Sequence, residues 1–235
     1  MARYEAIVSQ LNALTVAHEP PQVVEQPPHD CGICPRLAEY RAANRAEHPD
    51  WFNGPVPSFG PVEARLLVVG LAPGMKGANR TGRPFTGDHA GLLLYGTLLR
   101  FGLAEGAYRA EHDDGVTLRD CRIANAVRCV PPANLPGPRE VTGCNGFLRG
   151  ELHGMPNLRA VLALGVLAHA AVLKTYGLPP SRVRFVHGAI HALPDGLLLA
   201  DSYHVSRYNT STGRLTPEMF EAAVLALLRR LDEPA

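Results

Sequence analysis

Lysine is nearly absent from this 235-residue chain: it occurs only at Lys76 and Lys174, so 21 of the 23 basic residues are arginine. With 22 acidic residues, the formal net charge is only +1. No global basic field announces a nucleic-acid partner, and only a local patch remains open. Arginine suits bidentate phosphate contacts, but the same bias, beside abundant Ala, Gly and Pro, is also what a GC-rich genome produces. Long apolar runs are missing too: none reaches the roughly 18 residues of a membrane span. The segment Met1–Val8 carries Glu5 and no long apolar stretch, unlike a secretory signal, and a cytoplasmic protein is expected. There is no internal repeat and no low-complexity tail. There is no Gly-Lys-Ser/Thr of a Walker loop and no dinucleotide-binding glycine spacing.

What remains is a chain with 46% hydrophobic and 19% charged residues, the balance of a soluble globular protein with one good core. Residues 1–17 read as a helix with Ile7, Leu11, Leu14 and Val16 near one face, stopped by prolines at 20, 21, 27 and 28. A helix is predicted from Leu37 to Arg45, and an irregular, Pro- and aromatic-rich stretch over Trp51–Pro61. Strands are predicted at Leu66–Val69, Ile123–Val127, Ala160–Leu164, Arg184–His187 and Leu197–Ala200. Helices are predicted from Leu92, from Arg139, over 166–176 and from Pro217 to Arg230, the last with proline at a favoured first position. Residues 103–120 read as a polar connection. Alternating strands and helices imply a mostly parallel sheet with helices on both faces.

The chain is organised around Gly70-Leu-Ala-Pro-Gly-Met-Lys-Gly-Ala-Asn-Arg-Thr-Gly-Arg-Pro-Phe-Thr-Gly-Asp88. A buried strand ends at its first glycine, and a helix starts near Asp88. Its glycines let backbone approach a ligand closely, and strand-end loops of open α/β sheets are where ligands bind. Arg80 and Arg83 supply charge, Phe85 an aromatic face, and Asp88 the only carboxylate, equally explicable as a helix N-cap.

Five cysteines occur: Cys31, Cys34, Cys121, Cys129 and Cys144. Cys31-x-x-Cys34 sits in a proline-flanked turn, Cys129 follows a predicted strand, and Cys144 lies early in the next helix. Four such thiolates can close a tetrahedral site, and zinc and a four-iron cluster both accept that set. Cys121 reads as a core residue. Two further constellations lie just after strands. Asn125 has an amide able to read a planar base edge, or to bond nearby backbone. His204-Val-Ser-Arg-Tyr-Asn-Thr-Ser-Thr-Gly213 offers an imidazole followed by a polar, aromatic, arginine-bearing loop suited to phosphates and a groove. The other nine histidines show no ligand spacing.

Taken together, Gly70–Gly74, Asn79–Asp88, Asn125–Asn134 and His204–Thr216 resemble the family 5, or B-type, uracil-DNA glycosylases, over roughly residues 31–230. The resemblance implies a three-layer α/β/α fold with a central, mostly parallel four-stranded sheet. It implies one domain over 1–235, with the cysteine-bearing N-terminal extension packed on it. It implies a structural four-iron–four-sulfur cluster on Cys31, Cys34, Cys129 and Cys144. The family's reaction is hydrolysis of the N-glycosidic bond of a damaged deoxynucleotide, leaving an abasic site. The implied partner is uracil-containing DNA, double- and also single-stranded, acted on by a monomer with no membrane attachment.

On this resemblance Asp88 positions water and counters charge on the sugar, and His204 stabilises the leaving base. Phe85 stacks on that base and Asn125 reads its edge, with Gly70, Ala72, Gly74, Gly77 and Asn79 completing the substrate pocket. Arg80, Arg83, Ser206, Arg207, Tyr208 and Asn209 contact DNA. Other superfamily members carry a polar residue just after the first glycine; Leu71 and Ala72 stand there, which leaves water positioning to Asp88. Val205 stands where the commoner third motif has proline. The alternative is a non-catalytic or covalently trapping relative, whose trapping members carry a basic, histidine-containing insertion that Gly82–Asp88 lacks.

Overall fold

A computed structural model describes residues 24–233; the helix expected over 1–17 lies outside them. The centre is one sheet of five strands, β1 (Leu66–Gly70), β4 (Cys121–Asn125), β5 (Ala160–Leu164), β7 (Leu198–Ser202) and β6 (Ile190–Ala192), in the spatial order β4-β1-β5-β7-β6. The first four are mutually parallel, and β6 pairs antiparallel to β7 on one edge. The expected four-stranded parallel core is therefore present, with a fifth strand added.

That strand is not the one expected at Arg184–His187. There, Gly188 turns with φ +81° and Val186 is exposed. The Val186 N–H is taken by the Asp201 carboxylate, 3.1 Å away, rather than by a ladder partner. β4 starts two residues earlier than expected, because Cys121 and Arg122 are both buried. The Arg122 guanidinium is accommodated by Glu151, with Nε 2.7 Å from Oε2.

All five residues of β1, β4 and β5 are buried, as a parallel sheet covered on both faces requires. Alternation along β1 splits the core. Leu66 and Val68 face α3 (His89–Arg100) and α7 (Pro217–Asp232), through Leu94, Leu98, Phe220 and Val224. Leu67 and Val69 face α4 (Pro138–Gly154) and α5 (Val166–Thr175), through Leu148, Leu152, Ala171 and Val172. The result is three layers, helices–sheet–helices. The first helix, α1 (Pro35–Glu47), brings Leu37 against Val127, Cys129 and Cys144. Residues 103–120 are more ordered than expected: β2 (Ala104–Glu105) and β3 (Thr117–Leu118) form a two-stranded antiparallel ribbon. Strands this short carry no readable period.

The chain leaves β1 toward β4 on one side and, later, returns to β5 on the other. The C-terminal ends of these strands thus flank a topological switch point, where open α/β sheets bind ligands. Register places Gly70 beside Asn125 and Leu164 beside Ser202 at that edge.

Candidate functional site

At this edge lies a cavity of about 570 Å³ whose walls include Asp88, His204, Phe85, Asn125, Ala72 and Gly74. Residues from three separate loops of the sequence thus meet in one place. The size suits a planar ring with part of a sugar.

Asp88 sits at the N-cap of α3, where its Oδ1 accepts from the Ala90 N–H at 3.1 Å. Oδ2 lies over two glycines. A Cβ on Gly74 would stand 2.9 Å from Oδ2, and one on Gly77 would stand 2.7 Å from Cγ and closer still to Oδ2. Only glycine at both positions leaves the carboxylate its place, although Gly77 itself does not line the cavity. Burial raises the Asp88 pKa, against the lowering effect of the Gly91 and Ala90 amides.

His204 follows β7, whose end is fastened by the buried Asp201: its carboxylate accepts from His169 Nδ1 at 2.7 Å. Val205 is fully buried beside the α3–α7 core, so an apolar anchor stands where proline is commoner. The Asn209 amide donates to the His204 carbonyl at 2.7 Å. Gly165, at φ +98°, leaves the space in which His204 Cβ lies 3.3 Å from where a side chain would start. Burial pushes the His204 pKa down to about 4, so the ring is neutral at pH 7.

The Phe85 ring centroid is 6.0 Å from that of His204. Phe85 has φ +53°, a left-handed conformation that costs a non-glycine residue about 1–3 kcal/mol. Gly70 also does not line the cavity, but it makes room for it: a Cβ there would be 2.5 Å from Phe85 Cζ and closer to Asn125 Oδ1. Asn125 Oδ1 is buried and has no hydrogen-bond partner among the described residues. An unpaired buried acceptor is costly, and a base edge would satisfy it.

The structure moves three expected residues away from their roles. Arg83 is 3% exposed, with Nη1 and Nη2 each 2.8 Å from the Asp114 carboxylate, so it cannot reach DNA. Asn79 is buried outside the cavity. Its amide donates to Asn53 Oδ1 at 2.9 Å, fastening the glycine loop to the Trp51–Pro61 stretch. Asn209 spends its amide on the His204 carbonyl and so shapes its own loop. Ser206 and Arg207 line the cavity, and Tyr208 stands beside them 71% exposed. Ser206 caps the short helix α6 (Arg207–Ser211), accepting from Asn209 N at 3.4 Å. Arg80 is exposed, with its Nε 3.1 Å from the Lys76 carbonyl. Part of the expected loop between them is helical, as α2 (Ala78–Thr81).

Sequence reasoning missed Lys76, Asn134 and His89, all of which line the cavity. His89 Nε2 is 2.9 Å from Thr210 Oγ1, joining the start of α3 to α6. Its position directly after the N-cap was the available signal.

A second constellation lies behind the loop that follows β4. Cys31, Cys34, Cys129 and Cys144 line one small hollow with Ile33, Leu37 and Phe147. Among the described residues no histidine or carboxylate shares it. Arg41 Nη1 lies 3.5 Å from Cys129 Sγ, and the Arg128 N–H lies 3.4 Å from Cys144 Sγ. Arg41 is buried, and its other hydrogen bond is to the Cys31 carbonyl. Burying a guanidinium without a carboxylate is costly unless negative charge develops nearby. Thiolates in the hollow would supply it, so the donor set fits an anionic four-thiolate centre. Among the described residues no three His, Cys, Asp or Glu side chains converge closely enough to hold a single metal ion. Cys121 is fully buried in the core, as expected. No helix among the described residues is long and apolar enough to cross a membrane.

Comparison with known proteins agrees with this placement. Residues 57–228 match the family model described as the uracil DNA glycosylase superfamily. The chain is 47% identical over 197 residues to the Type-5 uracil-DNA glycosylase of Thermus thermophilus, covering 81% of this chain and 89% of that protein. It is 44% identical over 193 residues to the Type-5 uracil-DNA glycosylase of Pyrobaculum aerophilum, covering 80% and 84%. The Type-4 uracil-DNA glycosylase of the same organism is 31% identical over 160 residues, covering 68% and 67%.

Proposed function

The chain belongs to the uracil DNA glycosylase superfamily, and on that premise we propose how its cavity carries out the reaction. The protein is a hydrolase of DNA repair that excises uracil from DNA. A base inside a duplex is inaccessible, so the nucleotide is extruded into the cavity at the strand ends. One observation carries the reading: Asp88 and His204, which are 116 residues apart in sequence, share that cavity with Phe85 and Asn125.

Phe85 stacks on the extruded ring; stacking of this kind is worth roughly 1–3 kcal/mol and tolerates different bases. Asn125 pairs its amide with the base edge. Cleavage of the N-glycosidic bond leaves positive charge on the sugar and negative charge on the base. His204, neutral because it is buried, donates an N–H to the leaving base; a donor of this kind is worth about 3–4 kcal/mol. Asp88, held by the Ala90 amide, counters the sugar charge and orients the water that attacks the sugar carbon. The bond to the base nitrogen breaks, its electron pair leaves with the base, and the water oxygen bonds to the sugar carbon. Asp88 takes up the water's proton. Leu71 and Ala72 offer no competing polar group, which suits loose discrimination and extends the range to deaminated bases such as hypoxanthine.

In duplex DNA Ser206, Arg207 and Tyr208 enter the minor groove and fill the vacated stack, and single-stranded uracil-containing DNA is a second substrate form. Cys31, Cys34, Cys129 and Cys144 would hold a structural four-iron–four-sulfur cluster, and their thiolates would then tie together the Cys31–Cys34 turn, the loop after β4 and the start of α4. The buried Arg41 and the chemistry of the four-thiol hollow support this reading.

The test is incubation with an end-labelled uracil-containing duplex, followed by alkali. Strand scission at the uracil is expected, and an intact strand would contradict the assignment. If the chain instead trapped the site covalently, a DNA–protein band would survive denaturation.

A further inference from the structure

Arg83 was expected on DNA, yet it lies in the interior among aromatic rings and loop carbonyls that converge on Phe85. We infer that Arg83, Tyr95, Tyr108 and Asp114 are positioning residues for Phe85, locking its left-handed backbone so that the ring forms the face against which the extruded base stacks. This rests on the reading that Phe85 stacks on the base.

Four observations carry it. First, Phe85 has φ +53°, a conformation the surroundings must impose. Second, the carbonyls on either side of the Phe85 N–H are both held by phenols. Tyr95 Oη donates to the Pro84 carbonyl at 2.8 Å, and Tyr108 Oη donates to the Phe85 carbonyl at 2.9 Å. Third, Arg83 binds at both ends of the arrangement. Its Nε donates to Thr86 Oγ1 at 2.8 Å, and its two Nη atoms grip Asp114. Its guanidinium carbon lies 5.3 Å from the ring centroids of Phe59 and Tyr95 and 5.9 Å from that of Tyr108. Tyr95 and Tyr108 are themselves stacked, with centroids 4.5 Å apart. Fourth, Gly91 in α3 is shaped to this arrangement. A Cβ there would overlap the Phe85 carbonyl oxygen and Tyr108 Oη, and would sit 3.0 Å from Tyr108 Cζ.

The origin of the parts matters. Asp114 belongs to the loop between β2 and β3, where it also accepts from the Arg109 and Val116 amides at 3.0 and 3.1 Å. Tyr108 comes from the same loop. The β2–β3 ribbon, a polar connection by its sequence, thus reaches the substrate cavity through Phe85, without lining it. A lost phenol bond should let the Phe85 peptide relax toward ordinary φ and rotate the ring away from the base.

The experiment is a double-mutant cycle on single-turnover uracil excision with Tyr108→Phe and Phe85→Ala, each chain checked for folding by its thermal transition. Losing one hydrogen bond predicts roughly a 3–10-fold slowing by Tyr108→Phe in the native background. In the Phe85→Ala background, Tyr108→Phe should add nothing. Equal losses in both backgrounds, or none in the native one, would overturn the positioning role while leaving stacking intact. Full activity of Phe85→Ala would instead remove the stacking reading, and this inference with it. Arg83→Gln supplies a readout that general destabilisation does not move. Affinity for undamaged duplex should keep its salt dependence, whereas a slope shallower by about one unit would mark a lost phosphate contact and return Arg83 to the DNA surface.

Discussion

Gly77→Ala adds a single methyl group, and the structure specifies what it meets. The new Cβ would lie 3.0 Å from Asp88 Cβ and 2.7 Å from Cγ. The Gly77 backbone stands at φ −96° and ψ −113°, outside the left-handed region. Carbon–carbon contacts settle at about 3.5–4.0 Å, so the carboxylate must retreat by about 1 Å. Oδ1 resists, because it accepts from the Ala90 amide at the start of α3. A misplacement of about 1 Å in a catalytic group costs roughly 10²-fold in rate, while overpacking of this kind costs about 1–3 kcal/mol of stability. The assay is single-turnover excision of uracil at saturating protein, with duplex affinity and Tm measured on the same samples. The expected result is a roughly hundredfold slower chemical step, nearly unchanged affinity and a modestly lower Tm. In an Asp88→Asn background the same methyl should cost nothing further. Gly96→Ala is the control: it lies on the exposed side of α3, and none of the described residues comes within 4 Å of its Cβ. It should leave excision intact and stabilise by about 0.5–1 kcal/mol. A Gly77→Ala protein that excises at the native rate would refute the reasoning, since Asp88 would then not need its place.

His204→Ala should slow excision by roughly 10²–10³-fold, most severely for bases whose anions leave poorly; equal losses across bases of different acidity would deny it the leaving-group role. The acid limb of kcat/KM should lie above the ordinary aspartate value of about 3.9, because burial raises the Asp88 pKa despite the helix amides. With a folded pKa above the unfolded one, Asp88 contributes stability at low pH that is lost as pH rises through its titration. Asp88→Asn should therefore raise Tm at neutral pH while abolishing most activity, and a lower Tm would contradict that sign. His204 acts in the opposite sense. Its folded pKa of about 4 lies below the usual value of about 6.5, so its burial costs stability progressively as pH falls across that interval. The His204→Ala chain should lose less stability there than the native one. Cys144→Ser should abolish bound iron and labile sulfide and lower Tm; full iron content in that variant would contradict the proposed ligand set.

What the sequence disclosed was local. The apolar run Leu66–Val69 reads as a buried parallel strand because both of its faces are covered. Asp88 reads as a cap because it immediately precedes a helical pattern. The three strand-end loops read as one site through their combined resemblance to the family, and the open α/β sheet is what brings such ends together. What it concealed depends on distant partners. Arg83 looks like a phosphate ligand until Asp114, 31 positions away, claims both its Nη atoms. Arg122 obscures the start of β4 because its charge is neutralised by Glu151 of α4. Val186 sits in an apolar-looking run, but its amide goes to the Asp201 side chain, so no strand forms there. His89 differs in kind, because its neighbour in sequence already marked the site.

The most direct test of the central claim is the structure of the Asp88→Asn chain bound to a uracil-containing duplex. The account predicts an extruded uracil whose ring lies against Phe85, with an edge atom bonded to Asn125, a base oxygen within hydrogen-bond reach of the His204 ring, and residue 88 on the far side of the sugar. A uracil still stacked in the helix, or seated anywhere other than between these side chains, would contradict it.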